Sequence, residues 1–549
     1  MQLTGAQIII ECLKEQGTQT LFGYPGGTVL SVYDALYERG EGIRHILTTH
    51  EQGAAHAADG YARATGKTGV CLVTSGPGAT NLVTGIATAY MDSSPVVAIT
   101  INVPVASLGR DSFQEIDIAG ITMPVTKHSF IVKEVTQLAA CLRRAFNVAR
   151  VGRPGPVLVD IARDVTDAVC EFEPDRNPNV FYLGVPSMNK YVNTDPSSII
   201  SAAAAAAASL IRSKRPVIIA GGGCVRNGAG EAIARFADRY RIPVVTTMMG
   251  TGAVPGSSRL FLGMGGEFGT QAAARAMKDS DLIVAAGCRF SDRLTGENGE
   301  FLGNGRIVHV DVDKAELNKN VRADIAIQSD SFFFFKALED AMEKKAKGKN
   351  VSFEKWACSL KPEDQSGDAV PEDAALTGDL VARIAGEEAG SDAIYVTEVG
   401  ECQVSAVNHI SFERAGSLIT SGGLGTMGFG LGAAIGAKAG CPERTVINLA
   451  GDGAFRMNMA EIMTAVSNDL PVIEIIFDNG VLGMVHTIQK EKYSGRFIAT
   501  ELDDTYNYAQ VAKSMKAKAF DCSTAKELRA ALREALKENK VSVIVCHIP

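Results

Sequence analysis

The sequence contains no basic block, no long apolar run and no paired cysteine motif. Its 549 residues carry a formal net charge of −8, which argues against a surface for nucleic acid or anionic membranes. No apolar stretch approaches the about 20 residues of a transmembrane helix, and the first residues show neither a secretion nor a transit signal. The eleven cysteines are scattered without a CxxC pair, which indicates reduced thiols. These absences predict a soluble cytoplasmic enzyme.

The hydrophobic pattern divides the chain into three blocks in which short apolar runs alternate with helical patterns. Such alternation is typical of parallel sheets covered by helices. The chain is also too long for a single hydrophobic core, since domains average about 150 residues. Two polar stretches, 174–198 and 344–373, separate the blocks as linkers, the second with a short helix around Trp356. We therefore predict α/β domains with doubly wound parallel sheets over residues 1–175, 190–345 and 370–549.

Two apolar runs in the third block each end in an oxygen-bearing side chain. Thr445–Ala450 leads into Gly451-Asp452-Gly453, and Pro471–Phe477 leads into Asp478-Asn479-Gly480. A crossover helix over Met457–Asn468 fits between the two runs, so that both strand ends open into one crevice. One carboxylate and one amide carbonyl suit Mg²⁺, and the glycines leave room for a diphosphate. A plain glycine turn between strand and helix is the alternative interpretation.

Another candidate group lies in the first block. The apolar run Thr20–Phe22 leads into a glycine turn, and Glu51 stands at the start of an alanine-rich helix. A carboxylate in that position can satisfy free backbone N–H groups and the helix dipole, which is a structural interpretation. The functional interpretation is a buried acid that exchanges a proton with a heteroaromatic nitrogen. The residues alone leave both open.

Taken together, these blocks resemble the thiamine-diphosphate-dependent enzymes, and more narrowly the large catalytic subunits of acetolactate synthase. The resemblance rests on Glu51 in its HEQGAAHAADGYAR setting, on Val73–Gly78, and on Gly451-Asp452-Gly453 with Asn479. Supporting stretches follow in family order and span nearly the whole chain: Phe113–Asp117, Pro124–His128, Gly152–Pro156 and Thr420–Gly428.

The resemblance implies an activity and roles for several residues. Pyruvate is decarboxylated and joined to a second 2-keto acid, giving 2-acetolactate or 2-aceto-2-hydroxybutyrate, the first common step of branched-chain amino acid biosynthesis. Glu51 would promote the imino tautomer of the aminopyrimidine ring, so that the thiazolium carbon is deprotonated. Asp452, Asn479 and the carbonyl of Val481 would bind Mg²⁺. Gln114 and Lys127 would act at the reacting centre, and Arg293 and Met484 would line the acceptor pocket. The remaining thiamine diphosphate contacts implied are Pro25, Gly26, Thr74, Asn81, Gly400, Gly425, Met427, Gly453 and Ala454.

The middle block resembles the family's FAD-binding domain, in which the flavin is mainly structural. The positions implied around the flavin are Arg153, Gly221, Gly222, Gly223, Thr247, Gly287, Arg289, Arg293, Asp311 and Asp330. Asp311 follows a predicted strand, where an acid can bond ribose hydroxyls. A common glycine turn and a solvated salt-bridge cluster are the structural alternatives for these stretches. In this family the Glu51 block and the Gly451-Asp452-Gly453 block meet across a subunit interface, so the resemblance further implies a homodimer or dimer of dimers. It also leaves room for a small regulatory subunit.

Four features depart from the family pattern. Ile488 stands where a tryptophan that favours 2-ketobutyrate is usual, and Glu401-Cys402 stand where Gln-His is usual. Glu267-Phe268 replace Met-His in the flavin region, and the chain ends at Pro549 without the family's C-terminal arm. Three interpretations therefore stay open: an acetolactate synthase, another thiamine diphosphate enzyme of the pyruvate oxidase or sulfoacetaldehyde acetyltransferase type, and a cofactor-binding paralogue with altered catalysis.

Overall fold

The computed structural model describes residues 1–175, 195–226, 228–297, 299–348, 350–360, 370–502 and 506–549. These residues form three six-stranded sheets, in each of which neighbouring strands are parallel. The prediction of three doubly wound α/β units is thereby confirmed. The predicted domain limits stay a prediction, and residues 176–194 and 361–369 of the predicted linkers lie outside the described residues.

The first sheet has the strand order β3-β2-β4-β5-β7-β6. Its strands are β2 (Thr20–Tyr24), β3 (Arg44–Leu47), β4 (Gly69–Thr74), β5 (Val96–Asn102), β6 (His128–Val132) and β7 (Val157–Ala162). A separate antiparallel pair joins β1 (Gln2–Thr4) to β8 (Val169–Glu171). The helices are α1 (Gly5–Glu15), α2 (Leu30–Arg39), α3 (Glu51–Thr65), α4 (Pro77–Asn81), α5 (Val83–Met91), α6 (Ile118–Thr122), α7 (Val135–Arg150) and α8 (Arg163–Asp167).

The middle sheet has the order β11-β10-β9-β12-β13-β14. Its strands are β9 (Pro216–Ala220), β10 (Val244–Thr246), β11 (Phe261–Met264), β12 (Leu282–Ala286), β13 (Arg306–Asp311) and β14 (Ile325–Gln328). The helices are α9 (Pro196–Arg212), α10 (Ala229–Tyr240), α11 (Gln271–Asp279), α12 (Asp292–Thr295), α13 (Ser331–Ala346) and α14 (Glu354–Ser359). Within the sheet, the strands therefore follow the order 3-2-1-4-5-6, which is the arrangement of dinucleotide-binding domains.

The third sheet has the order β16-β15-β17-β18-β20-β19. Its strands are β15 (Ile394–Thr397), β16 (Leu418–Thr420), β17 (Val446–Gly451), β18 (Val472–Asp478), β19 (Lys518–Cys522) and β20 (Ser542–His547). The helices are α15 (Gly378–Ala389), α16 (Glu401–His409), α17 (Gly430–Gly440), α18 (Asp452–Asn458), α19 (Glu461–Ser467), α20 (Gly483–Lys492), α21 (Tyr508–Ser514) and α22 (Ala525–Glu538). Counted within each sheet, the first and third follow the same order, 2-1-3-4-6-5.

Two small-residue helices join the first and third units. Helix α3, whose first residue is Glu51, packs against α17 so closely that side chains are excluded at the crossing. A Cβ added at Gly60 would lie 2.0 Å from the carbonyl oxygen of Ala433, and one at Gly436 would lie 1.8 Å from that of Ala57. Because only glycine permits this approach, the sequence of both helices fixes how Glu51 is held against the third unit.

Two local helix predictions can be compared with the structure, and one of them is wrong. The single crossover helix over Met457–Asn468 is wrong, because the segment forms α18 and α19 with a turn between them. Helix α9 begins at Pro196 because Asp195 caps it by accepting from the N–H of Ser197. The short helix around Trp356 is present, and the indole N–H of Trp356 donates to the carbonyl of Pro216 in the middle sheet.

Candidate active site

The first half of the candidate site lies at the carboxyl ends of β2 and β4, where the strand order of the first sheet reverses. Ligands of open α/β sheets bind at such a point. Asn81 donates its side-chain N–H to Oε2 of Glu51 at 2.9 Å. A Cβ added at Gly78 would lie 2.7 Å from Cγ2 of Thr74 and 3.3 Å from Oε1 of Glu51. Glu51, Thr74 and Asn81 are therefore neighbours, as a shared cofactor pocket requires.

Capping does not explain the carboxylate of Glu51. The hydrogen-bonding cap of α3 is His50, whose Nδ1 accepts from the backbone N–H of Gln52 at 3.0 Å. Glu51 instead bonds the side chain of Asn81. This arrangement favours the functional interpretation of Glu51 over the capping one.

Gln114 also belongs to this edge of the first sheet. Its backbone has φ of +59°, an uncommon conformation for a residue with a side chain. A Cβ added at Gly76 would lie 2.8 Å from the carbonyl oxygen of Gln114, so the two segments touch. Gly26, after Pro25, is as close to Thr74: a Cβ there would lie 2.5 Å from Cβ of Thr74. The structure thus brings Gly26, Thr74 and Gln114 to one edge.

The second half of the site lies at the carboxyl ends of β17 and β18. Oδ1 of Asp452 accepts from the N–H of Gly453 at 2.7 Å, and its Oδ2 accepts from the N–H of Gly480 at 2.9 Å. Oδ1 of Asn479 accepts from the N–H of Val481 at 3.1 Å. Asp452 therefore ties the two strand ends together, as the spacing of the motifs predicts. Burial raises the pKa of Asp452 to about 6.

The oxygen atoms of Asp452, Asn479 and Val481 are suitable ligands for a magnesium ion that also binds phosphate. Each carboxylate or amide oxygen has lone pairs beyond the one used by a backbone N–H, and Val481 lies next to Asn479. Among the described residues, no three His, Cys, Asp or Glu side chains cluster as a metal site. A cation held by Asp452, Asn479 and Val481 would thus complete its shell with phosphate oxygens and water, which is the usual mode of Mg²⁺.

Further predicted contacts converge on Gly453. A Cβ added there would lie 2.4 Å from Cδ2 of Leu482 and 3.6 Å from Cε of Met427. Ala454 is buried directly behind it, and Met484 is the second residue of α20, which begins just after Leu482. Met427 ends a turn in which Gly425 has φ of +70°. Thr426 between them hydrogen-bonds Thr88 of the first unit at 2.8 Å.

Gly400 and Glu401 lie at the start of α16, and Glu401 brings a carboxylate to this part of the third unit. Gly400 has φ of +130°, and α16 begins at Glu401. A Cβ added at Gly483 would lie 2.8 Å from the Glu401 carboxyl carbon, so that carboxylate faces the start of α20. Cys402 is buried, and its thiol donates to the carbonyl of Glu398 at 3.6 Å.

Sequence reasoning missed two glutamates that support the site. Glu398 is buried and accepts backbone N–H groups of Gly428, Phe429 and Gly430 at 2.8, 3.2 and 2.6 Å, and burial raises its pKa to about 7. Glu461 accepts from the backbone N–H of His50 at 3.0 Å, just before Glu51. An acid directly after an apolar strand was the available signal for Glu398. Glu461 carried none, because its partner is distant in sequence.

In the middle unit, the glycine turns meet where the strand order reverses between β9 and β12. The N–H of Gly223 donates to the carbonyl of Gly287 at 3.1 Å, and a Cβ added at Gly221 would lie 2.1 Å from that same oxygen. Gly222 faces Met249, and the N–H of Thr247 donates to the carbonyl of Ala220 at 3.0 Å. These glycine contacts leave the carboxyl edge of β9 and β12 narrow and free of side chains, which suits a dinucleotide.

The acidic and basic residues predicted for the flavin lie around this edge. Asp311 ends β13, and burial raises its pKa to about 7, while Asp330 caps α13 through the N–H of Phe332 at 2.8 Å. Arg289 donates to the carbonyl of Met91 at 2.7 Å. Arg153 donates to Glu316 at 2.7 Å.

Two residues predicted to contact substrate make other contacts in this structure. The ammonium of Lys127 donates to the carbonyls of Val148 and Val151, the second at 2.6 Å, and burial lowers its pKa to about 7. Lys127 therefore stabilises the end of α7 here. The guanidinium of Arg293 bonds the Glu267 carboxylate and lies 5.5 Å from the ring of Phe268. Both departures from the family pattern in the flavin region thus contact Arg293.

Comparisons with known proteins agree with these three units. Residues 3–121 match the thiamine pyrophosphate enzyme N-terminal TPP binding domain, residues 203–338 the central domain, and residues 398–546 the C-terminal TPP binding domain. In the part of the chain that the structure describes, no helix is both long and apolar enough to cross a membrane.

Curated relatives extend the agreement to nearly the whole chain. A probable acetolactate synthase large subunit of Methanocaldococcus jannaschii is 42% identical over 545 residues, which cover 98% of this chain and 90% of the relative. The acetolactate synthase large subunit IlvB1 of Mycobacterium tuberculosis is 40% identical over 552 residues, with 99% and 88% covered. The acetolactate synthase isozyme 2 large subunit of Escherichia coli is 38% identical over 517 residues, with 93% and 89% covered. Since identity and coverage are high throughout, the chain belongs to the acetolactate synthase large-subunit family of thiamine pyrophosphate enzymes.

Proposed function

We propose that this chain is the catalytic subunit of an acetolactate synthase. It decarboxylates pyruvate and transfers the two-carbon unit to a second 2-keto acid, giving 2-acetolactate from pyruvate or 2-aceto-2-hydroxybutyrate from 2-ketobutyrate. The observation that carries the proposal is the pairing of Glu51 with Asn81 at the reversal point of the first sheet, with α3 packed on the unit that contains Asp452. Thiamine diphosphate, when bound, supplies a carbon nucleophile and an electron sink for decarboxylation.

Glu51 would exchange a proton with a nitrogen of the aminopyrimidine ring. Its Oε2 is oriented by Asn81, and Oε1 remains available to hold a proton at a ring nitrogen. The hydrogen bond with Asn81 fixes the rotamer of the carboxylate, which keeps that proton transfer in one geometry. Gln114 and Thr74 border the same pocket and would orient the substrate and the ring.

Asp452, Asn479 and the backbone carbonyl of Val481 would hold Mg²⁺, which would anchor the diphosphate. The proposal is supported by the common strand edge from which the three residues project. Gly453, beside Met427 and Leu482, leaves a surface without a side chain near this anchor. Gly26, Gly400, Gly425, Ala454 and Met484 complete the contacts proposed for thiamine diphosphate.

FAD is the proposed ligand of the middle unit, held by the glycine edge of β9 and β12 with Arg153, Thr247, Arg289, Asp311 and Asp330. The strand order supports a dinucleotide there. We further propose a homodimer with a small regulatory subunit, the latter because the relatives are named large subunits. A cytoplasmic location is supported by eleven free cysteines, most of them buried.

An assay on purified protein with saturating thiamine diphosphate, Mg²⁺ and pyruvate tests the proposal. We expect acetolactate to accumulate at half the molar rate of pyruvate consumption, since two pyruvates give one acetolactate and one carbon dioxide. Accumulation of acetyl phosphate or hydrogen peroxide instead would identify an oxidase. Pyruvate that stays intact while thiamine diphosphate binds would identify a paralogue without this activity.

A further inference from the structure

Three arginines converge on one turn of the first unit, residues 91–93. Nε of Arg153 donates to Oγ of Ser93 at 2.8 Å, Nη1 of Arg226 donates to the carbonyl of Ser93 at 2.6 Å, and Nη1 of Arg289 donates to the carbonyl of Met91 at 2.7 Å. Ser93 has φ of +59°, an uncommon conformation of the kind that concentrates at functional sites. Hydrogen bonds from three arginine side chains therefore hold the 91–93 turn in place where the first and middle units meet.

Charged groups of both signs surround this turn, and the carboxylates contact Arg63 and Arg153. Asp92 is engaged by Arg63 at 3.1 Å and by the N–H of Gly423 at 2.8 Å, and Arg153 is paired with Glu316. In the described part of the chain, no carboxylate oxygen lies within salt-bridge distance of Arg226 or Arg289. Burial and the nearby Arg63 lower the pKa of Arg226 to about 10, although Asp59 and Asp92 act in the opposite direction. Among the described residues, Arg226 bonds a backbone carbonyl and has no carboxylate in direct contact, so its guanidinium can still bind an anion.

Arg226 and Arg289 stand on the two loops that flank the reversal point of the middle sheet. Arg226 follows the short 3-10 helix Gly222–Val225 after β9, and Arg289 is the third residue after β12. Gly223 lies between these loops, donates to the carbonyl of Gly287, and is nevertheless exposed. An anionic group could therefore approach the backbone here, with two guanidinium groups at its side.

We propose that Arg226 binds the diphosphate of a dinucleotide at this edge, acting with Arg289 as its counter-charge. The inference rests on the flavin site of the proposed function and adds to it a residue that the family resemblance does not assign. A guanidinium has five N–H donors, and among the described residues Arg226 uses one of them on Ser93, so it can bond phosphate oxygens without leaving the 91–93 turn. The same residue then couples dinucleotide binding to the contact between the first and middle units.

Binding measurements on the full-length protein with FAD, ADP and adenosine test this role. We expect Arg226→Met to weaken FAD and ADP by about tenfold or more, because it removes a charge-assisted hydrogen bond. Adenosine lacks the diphosphate and should bind the variant and the parent equally. Arg226→Lys should bind FAD and ADP with an affinity between those of the parent and of Arg226→Met. Lysine keeps the positive charge but lacks the planar guanidinium that donates two parallel hydrogen bonds. Arg235→Met, at an exposed position of α10, serves as the matched control and should change nothing.

Each other outcome overturns a defined part of the inference. If the parent binds FAD and ADP while Arg226→Met binds them equally well, the role of Arg226 is wrong and the flavin proposal survives. If the parent binds neither, the flavin proposal fails and the inference fails with it. If adenosine is weakened as much as ADP, Arg226 acts through pocket shape and the diphosphate contact is wrong. Should Arg226→Met fail to fold, Arg226→Lys carries the comparison of ADP with adenosine.

Discussion

The carboxylate of Glu461 accepts a hydrogen bond from the backbone N–H of His50 at 3.0 Å, although 411 residues separate them in the chain. Its other oxygen accepts from the N–H of Thr49 at 3.3 Å. Glu51 is the next residue, so the third unit determines how α3 begins. The bond therefore joins the start of α3, which carries the proposed proton carrier, to the unit that contains the proposed magnesium anchor.

Replacing Glu461 should disturb the start of α3. Glu461→Ala removes the acceptor of the His50 N–H, at a cost of about 1–3 kcal/mol if that group stays buried, while the Thr49 N–H keeps Oγ1 of Thr464 at 3.1 Å. We expect faster amide hydrogen exchange in a peptide that spans residues 47–53, and acetolactate formation slowed by about tenfold through misplacement of Glu51. Glu443→Ala, at an exposed position of the same unit, is the control. Unchanged exchange in the Glu461 variant would show that this contact does not hold the helix start.

Glu51→Gln should abolish most of the activity and leave the fold intact. Glutamine keeps the shape and can still accept the hydrogen bond from Asn81, but it cannot exchange a proton with a ring nitrogen. We expect kcat to fall by about 10²–10⁴, the range of general acid–base contributions, with thiamine diphosphate still bound. Asp34→Asn on α2 is an exposed control in the same unit. Full activity in Glu51→Gln would remove Glu51 from the mechanism.

Asp452→Asn should weaken the magnesium-dependent binding of thiamine diphosphate. The change removes the single carboxylate of the proposed ion site while keeping an oxygen for one backbone N–H. We expect cofactor affinity at saturating Mg²⁺ to fall by at least about tenfold, since losing a charged ligand exceeds about 1.4 kcal/mol. Isothermal titration at several Mg²⁺ concentrations measures this. Asp469→Asn, on an exposed turn, is the control and should bind thiamine diphosphate with the affinity of the parent. An unchanged affinity in Asp452→Asn would exclude Asp452 as a ligand of the ion.

The sequence predicted local features well because they depend on neighbouring residues. The runs before Asp452 and Asn479 were recognisable as buried strands, since their β-branched residues lead into glycine turns. Strand order decides which of these ends meet, and it depends on pairing between distant segments. The equal order of the first and third sheets therefore emerges only from the structure.

Contacts made across units escaped prediction for the same reason. The bond between Glu461 and His50, and the three arginines at the 91–93 turn, join residues that no local pattern relates. The resemblance assigned Lys127 and Arg293 to the substrate by position alone. In this chain the ammonium of Lys127 bonds backbone carbonyls and Arg293 bonds Glu267, because the neighbouring residues supply acceptors.

Ile488→Trp should shift the choice of the second keto acid. Ile488 is exposed on α20, close after Met484 and Gly483, at the position where the family resemblance implies a tryptophan that favours 2-ketobutyrate. A larger apolar surface gains more from the extra methyl group of 2-ketobutyrate, and one methylene changes kcat/KM by about tenfold or more. We expect the variant to raise the ratio of 2-aceto-2-hydroxybutyrate to acetolactate in competition assays. Lys490→Trp is the control, and an unchanged ratio in Ile488→Trp would show that this position does not contact the acceptor.

Glu474 should lower the stability of the folded protein as the pH rises. Replacing it with glutamine should remove this loss of stability. Glu474 on β18 is fully buried opposite Asn448 on β17, and the Asn448 side-chain N–H donates to both of its oxygens at 2.9 and 3.0 Å. Burial and the nearby Glu398 raise the pKa of Glu474 well above its ordinary value of 4.5. The folded chain therefore holds this proton more tightly than the unfolded chain. Its contribution is full below about pH 4.5 and is lost as the pH rises towards the folded pKa.

Glu474→Gln isolates this effect, because glutamine is neutral at every pH and its amide can donate to Oδ1 of Asn448. That oxygen is buried without a hydrogen-bond partner in the described part of the chain. We expect the unfolding temperature of the variant to equal or exceed that of the parent at pH 8.5, with the advantage shrinking as the pH falls to 5.5. Glu443→Gln should show no such trend, since its side chain is exposed. A variant that is destabilised equally at both pH values would mean that Glu474 is ionised in the folded protein and that its negative charge, rather than its proton, stabilises the pair with Asn448.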